Sequence, residues 1–156
     1  MQYLPHLRGL GWFGVLVAVS LSACAPNKVS QCNSVIELAN GAASQANELT
    51  DGGQTEDQQA MLQAADAIEQ AAQEMEALDL SDRQLQTYQA GFIQMYRDTA
   101  KATRDYIEAA NSQDRPAAEA AVANLKRATL PEDELVQSIN TYCTGSATPE
   151  SPAATP

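Results

Sequence analysis

Three thiols, a single imidazole and a surplus of carboxylates set the limits of the chemistry open to this sequence. The only histidine, His6, stands in an N-terminal stretch that reads as a removable export signal. Its loss leaves the mature chain without an imidazole. That rules out histidine-based triads, zinc sites with imidazole ligands, Glu-x-x-His di-iron pairs and Cys-x-x-Cys-His haem attachment. No nucleophile and base pair can be assembled from the residue types that remain, so a non-enzymatic protein without a cofactor is expected.

Four weaker clusters remain. Met61, Met75 and Met95 have the residue type of a thioether haem clamp, but all three fall on core-facing positions, where packing is the expected role. Asp66, Glu69, Gln73 and Glu76 form a polar stripe at helical spacing. Such a stripe lacks the convergent loop oxygens that calcium or magnesium prefers, so it reads as a solvated face with no metal. Arg97, Lys101 and Arg104 recur at i, i+4 and i+7 in an otherwise acidic chain. They suit surface pairs with nearby acids, with Asp66 and Arg97 close enough for a cross-helix pair, or alternatively a docking stripe for an acidic partner. Tyr88, Phe92, Tyr96 and Tyr106 crowd one helix, where they fill space left by facing alanines or else line a groove for an apolar ligand.

The N-terminus is more specific. Arg8 precedes an almost wholly apolar run, Leu10 to Leu21, whose twelve residues cover roughly 18 Å as a helix, too short for a hydrocarbon core of about 30 Å. Leu21-Ser22-Ala23-Cys24 follows at once and resembles the lipobox of bacterial lipoproteins. The resemblance covers the signal alone and matches at all four positions. It implies a diacylglyceryl group on Cys24, cleavage before it, acylation of the new amino terminus, and a body tethered outside the cytoplasm to the cell membrane or outer membrane. An ordinary secretory cut at Ala23-Cys24-Ala25 would instead leave Pro26 at the scissile bond, which suits an extended protease substrate poorly. Two or three acyl chains suffice for stable anchoring. With Cys24 lipidated, Cys32 and Cys143 are the two thiols left in an oxidising space, and they are the expected disulfide.

Charge narrows the partners. Against 20 Asp and Glu stand 9 Lys and Arg, and removal of Arg8 leaves 8, a formal charge of −12. That field repels phosphate backbones and anionic headgroups, so nucleic acid is excluded and membrane contact is left to the acyl chains.

The rest of the chain supplies helices. Cys32, Val35, Ala39, Ala42, Ala46 and Leu49 share one helical face, ended by Asp51-Gly52-Gly53. Met61, Ala65, Ile68, Ala72, Met75 and Leu78 repeat the pattern. Ser81 is the expected cap of a third helix, with Gln84 as its capping-box partner, Leu80 and Leu85 as a hydrophobic staple, and a tight hairpin before it. Leu85, Tyr88, Phe92, Met95, Thr99, Ala102, Tyr106 and Ala109 then mark a helix of about 30 residues. Gly91 permits close helix approach, since an idle mid-helix glycine costs about 1 kcal/mol. Asp114 caps a fourth helix, with Pro116 in its first turn and Ala118, Val122 and Leu125 inward. Thr129-Leu130-Pro131-Glu132 reads as a capping box that restarts the helix toward Leu135, Ile139 and Tyr142.

The expected fold is therefore all-α. It is an up-down four-helix bundle whose last helix is kinked near Pro131, because an even number of rods brings Cys32 and Cys143 to one end. The expected layout is signal 1–23, lipidated tether 24–30, bundle 31–143 and disordered tail 144–156. The leading functional expectation is an accessory or scaffold subunit of a membrane-associated assembly. In gross plan it is similar to lipid-anchored accessory proteins of cyanobacterial photosystem II, which would put it in the thylakoid lumen. The alternative is a carrier for a small apolar ligand.

Overall fold

The computed structural model describes residues 27–145. The signal stretch, Cys24 and the tail beyond Gly145 lie outside the described residues. Those described form α1 (Lys28–Thr50), α2 (Gln58–Glu76), α3 (Arg83–Asn111), α4 (Arg115–Thr129) and α5 (Glu132–Cys143), and no strand. α2 packs between α1 and α3, α4 packs on α3, and α5 touches α3 and α1. α1 begins three residues inside the expected tether because Asn27 accepts a hydrogen bond from the Ser30 amide and so caps it.

The anticipated core faces of the first three helices point inward. Val35, Ala72, Met75, Leu85 and Phe92 are at most 1% exposed. On α4 the face is rotated: Ala121 and Ala128 are buried while Val122 is exposed. Small residues explain this. Ala102 and Ala109 on α3 are buried as well, and alanines on both helices let the two backbones approach closely.

Two helix starts, those of α3 and α5, differ from their sequence signatures. Asp57 caps α2 and Asp114 caps α4, the latter as anticipated, with Pro116 in the first turn. α3 is capped by Asp82 rather than Ser81: its Oδ1 accepts from the Gln84 and Leu85 amides, while the amides of Ser81 and Asp82 both donate to Gln31 Oε1. Leu80 and Leu85 are nevertheless both buried in the core. The Thr129 capping box does not form, since Thr129 Oγ1 donates back to the Leu125 and Lys126 carbonyls and α5 has no side-chain cap. Leu130 and Pro131 both keep right-handed helical backbone angles.

The α2–α3 connection is not a tight hairpin. Six residues, 77–82, separate the helices, and Glu76 at the end of α2 pairs with Arg97, fourteen residues into α3. The first turns of α3 therefore project past α2, and the register moves. Asp66 pairs with Arg104 at 2.8 Å, not with Arg97.

At that projecting end the chain closes on itself. Cys32 and Cys143 are disulfide-bonded with Cα atoms 5.8 Å apart. Beside the bridge, the Tyr142 hydroxyl donates to Asp82 Oδ2 at 2.8 Å, and Lys28 Nζ lies 3.6 Å from the centre of the Tyr142 ring. Gln89 Nε2 donates to the Met75 and Leu78 carbonyls, serving α2 where its own helix cannot. On the opposite side, Leu135 lies where a Cβ on Gly91 would fall 2.7 Å from its Cδ2, so the glycine does admit a close helix approach, here by α5.

Burial raises the Asp82 carboxyl, but the hydrogen bonds from Leu85, Tyr142 and Gln84 and the charge of Lys28 outweigh it and hold the group below 3.8, its ordinary value. A depressed folded-state value stabilises the fold above the ordinary carboxylate range, and that contribution is lost as pH falls through the folded value. Asp82→Ala should cost about 1–2 kcal/mol near neutral pH, the usual worth of an N-cap. Its urea midpoint should also fall less than that of the parent between about pH 7 and about pH 3.

Candidate functional site

The two ends of the molecule are filled differently. Toward the disulfide, Val35, Met75, Leu85 and Phe92 interlock and leave no room. Toward the other end the inward positions are small: Ala43 and Ala46 on α1, Ala64 and Ala65 on α2. Short side chains cannot reach the axis. α4 is meanwhile drawn against α3 by its alanines, so the C-terminal half of α1 and α4 line opposite sides of a cavity of about 510 Å³. That is within the range of pockets that bury small organic ligands.

The cavity surface is mainly apolar, but Asn47, Thr55, Thr99 and other polar residues also line it. Ile68, Met61 and Met95 supply one side, Val122 and Leu125 another. Thr50, Thr103 and Thr129 border it, but each hydroxyl is committed to a carbonyl of its own helix. Tyr96 and Tyr106 differ. Neither hydroxyl makes a hydrogen bond to any group among the described residues. Tyr96 is only 6% exposed, and its ring lies 5.9 Å from that of Phe92. No fully buried side-chain oxygen among the described residues lacks a partner, so the Tyr96 hydroxyl meets cavity space and not apolar packing. Burial first, and then the charge of Glu132, push its phenol up to about 12. The group therefore stays a donor throughout the physiological range. Glu132 is the one charged residue in the lining, which holds no lysine, arginine or histidine.

The four aromatic residues anticipated together thus divide. Phe92 and Tyr96 belong to the buried core, Tyr88 packs against it edge-to-face on Tyr142 at 6.0 Å, and Tyr96 and Tyr106 also border the cavity. Met75 and Met95 are both buried in the core, and Met95 borders the cavity together with Met61. Val122 and Leu125, anticipated as core, face this space instead.

The basic stripe is brought together but neutralised. Arg97 pairs with Glu76 at 2.7 Å, Lys101 with Asp105 at 2.6 Å, and Arg104 with Asp66 at 2.8 Å and Glu69 at 3.7 Å. The acidic stripe of α2 is therefore the counterpart of the basic stripe of α3. Sequence reasoning missed Gln31, Gln86 and Gln89, whose side chains tie elements together, because glutamine at helical spacing carries the signature of a wet face. It also missed Glu132 as a cavity neighbour. Its position after Pro131 suggested a cap, and only the return of α5 onto α3 sets its charge near Tyr96. Among the described residues no helix is long and apolar enough to cross a membrane. No family model, curated protein or solved structure matches the chain, and the geometry of the cavity is what its functional reading rests on.

Proposed function

We propose that this chain is a lipid-anchored, extracytoplasmic helical bundle that holds a small apolar molecule and performs no catalysis. The cavity of about 510 Å³ between α1, α2, α3 and α4 is the observation that carries this reading. The proposed topology is an up-down bundle of four rods, in which α4 and α5 make one rod bent at Pro131. Helical backbone angles at Leu130 and Pro131 support this, as does the joining of the first rod's start to the last rod's end by the disulfide. Export and acylation at Cys24 are part of the proposal and rest on the lipobox.

The anchor gives the bundle a direction. Four residues from Cys24 to Lys28 span at most about 14 Å, so the disulfide end lies next to the bilayer. Ala43, the cavity residue of α1 nearest that end, is fifteen residues along the helix, roughly 22 Å from its start. In this arrangement the acyl anchor and the cavity occupy opposite ends, and the ligand is held away from the membrane surface. For the accessory subunit, the leading expectation from the sequence, Arg97, Lys101 and Arg104 are the candidate docking stripe. Their pairing with carboxylates leaves little net positive charge to attract an acidic partner, which favours the carrier.

Intact-mass analysis of protein from its own host should give a chain beginning at Cys24 with acyl adducts, and native mass spectrometry should retain one apolar small molecule per chain. Ala46→Leu, which adds bulk at the cavity wall, should empty it while raising stability by about 0.5–2 kcal/mol, as filling a natural void does. An Ala46→Leu protein that keeps its ligand, or a parent that carries none, would sink the carrier reading. A mature chain starting elsewhere, or without acyl adducts, would sink the anchor.

A further inference from the structure

The cavity constrains its occupant by charge as well as by size. A mainly apolar wall with no cation along it offers no counter-charge to a carboxylate, sulfate or phosphate headgroup, and Glu132 sets a negative charge near the Tyr96 donor. The rest of the chain adds to the repulsion, with 20 acids against 9 bases. A fully saturated hydrocarbon, on the other hand, would leave the Tyr96 hydroxyl enclosed without an acceptor once water is displaced, and an unsatisfied buried hydroxyl is costly. Tyr96 is nine-tenths buried, makes no hydrogen bond among the described residues, and opens on this space.

We infer that the ligand is an uncharged apolar molecule bearing a carbonyl, ester or ether oxygen, which accepts a hydrogen bond from Tyr96 while its hydrocarbon part lies against Ile68, Met61, Met95 and Leu125. This deepens the carrier reading and rests on it. Tyr96 is the residue that selects the class: it donates and stays protonated, so it favours an acceptor over a bare hydrocarbon. Glu132 is the residue that rejects: it penalises an anion at the same point. Neutral lipids with one polar oxygen near an end, and isoprenoid ketones or esters, fit this description. Free fatty acids do not.

Three probes with the same chain length separate the terms: methyl laurate, which is neutral with an acceptor; dodecane, which has none; and laurate, which is anionic at neutral pH. Displacement of the uncharged dye Nile red from the purified full-length chain reads their affinities. Methyl laurate should bind roughly fivefold more tightly than dodecane, the worth of one neutral hydrogen bond. Laurate should bind more weakly than methyl laurate. Tyr96→Phe should weaken methyl laurate without changing dodecane. Glu132→Gln should tighten laurate and leave methyl laurate unchanged. Equal affinities of all three probes, or methyl laurate unaffected by Tyr96→Phe, would overturn the ligand class while leaving an apolar carrier in place. Failure of every probe to displace the dye, or failure of the dye to bind at all, would overturn the carrier reading itself and this inference with it.

Discussion

Replacing both Cys32 and Cys143 by serine should lower the thermal midpoint by roughly 15–20 °C, the largest single loss this fold can suffer without a core deletion. The bridge closes 111 residues of sequence, nearly the whole described chain. On the chain-entropy account, a loop of that order restrains the unfolded chain by about 4.7 kcal/mol. At roughly 4 °C per kcal/mol for a domain of this size, the shift follows. The native end would also loosen. What remains there is the Tyr142 bond to Asp82, the Lys28 contact with the Tyr142 ring, and the packing of Ile139 against the core. Differential scanning calorimetry of parent and double variant, both oxidised before purification, measures the midpoint. A shift below about 5 °C would mean that the unfolded chain is already compact, with the start of α1 near the end of α5 before the bridge forms.

The pairing of those cysteines was legible in the sequence for a reason that had little to do with geometry. Once Cys24 is assigned to a lipid, two thiols remain, and arithmetic does the rest. The helices were equally legible, because inward residues recur at steps of three and four within each helix, as buried Ala65, Ile68, Ala72 and Met75 do along α2, and that period survives any tertiary arrangement. Ser81 misled because an Asp stands next to it, and a carboxylate two atoms from its own backbone is the stronger acceptor for helix amides. The choice was made from outside the segment. Gln31, fifty residues earlier, takes the Ser81 amide, and no local pattern contains that contact.

The cavity was half legible. Tyr96 and Tyr106 were visible as aromatic residues able to line a groove, and the alanines opposite were visible as small. Whether small residues close a gap by letting helices approach or leave one by failing to fill it depends on how far apart the rods are held. In this protein both outcomes occur, on neighbouring helices. Ala102 and Ala109 bring α4 against α3, while Ala64 and Ala65 face open space across from Met95 and Tyr96. Helical period identifies an inward face, but it does not give the distance between the faces.

Phe92→Ala should be the most damaging single core substitution, at about 3–5 kcal/mol, because Phe92 stands where the filled end meets the cavity. Its ring is 1% exposed, belongs to the main core cluster, and lies 5.9 Å from Tyr96. Truncation removes a large side chain beside a void that already exists, so the neighbours have no dense wall to relax against and the cavity extends toward the disulfide end. Urea unfolding should give a lower midpoint with an unchanged slope if the fold itself is retained. Phe92→Leu should cost about 1.5 kcal/mol or less, since most of the volume remains. Apolar ligand should restore part of the Phe92→Ala loss, because a molecule that binds only the folded state stabilises it in proportion to its occupancy, and an enlarged dry cavity binds hydrocarbon more readily. If dodecane leaves the variant's midpoint where it was, the new volume has collapsed, and the ring of Phe92 is a wall between two packed regions rather than the inner end of the cavity.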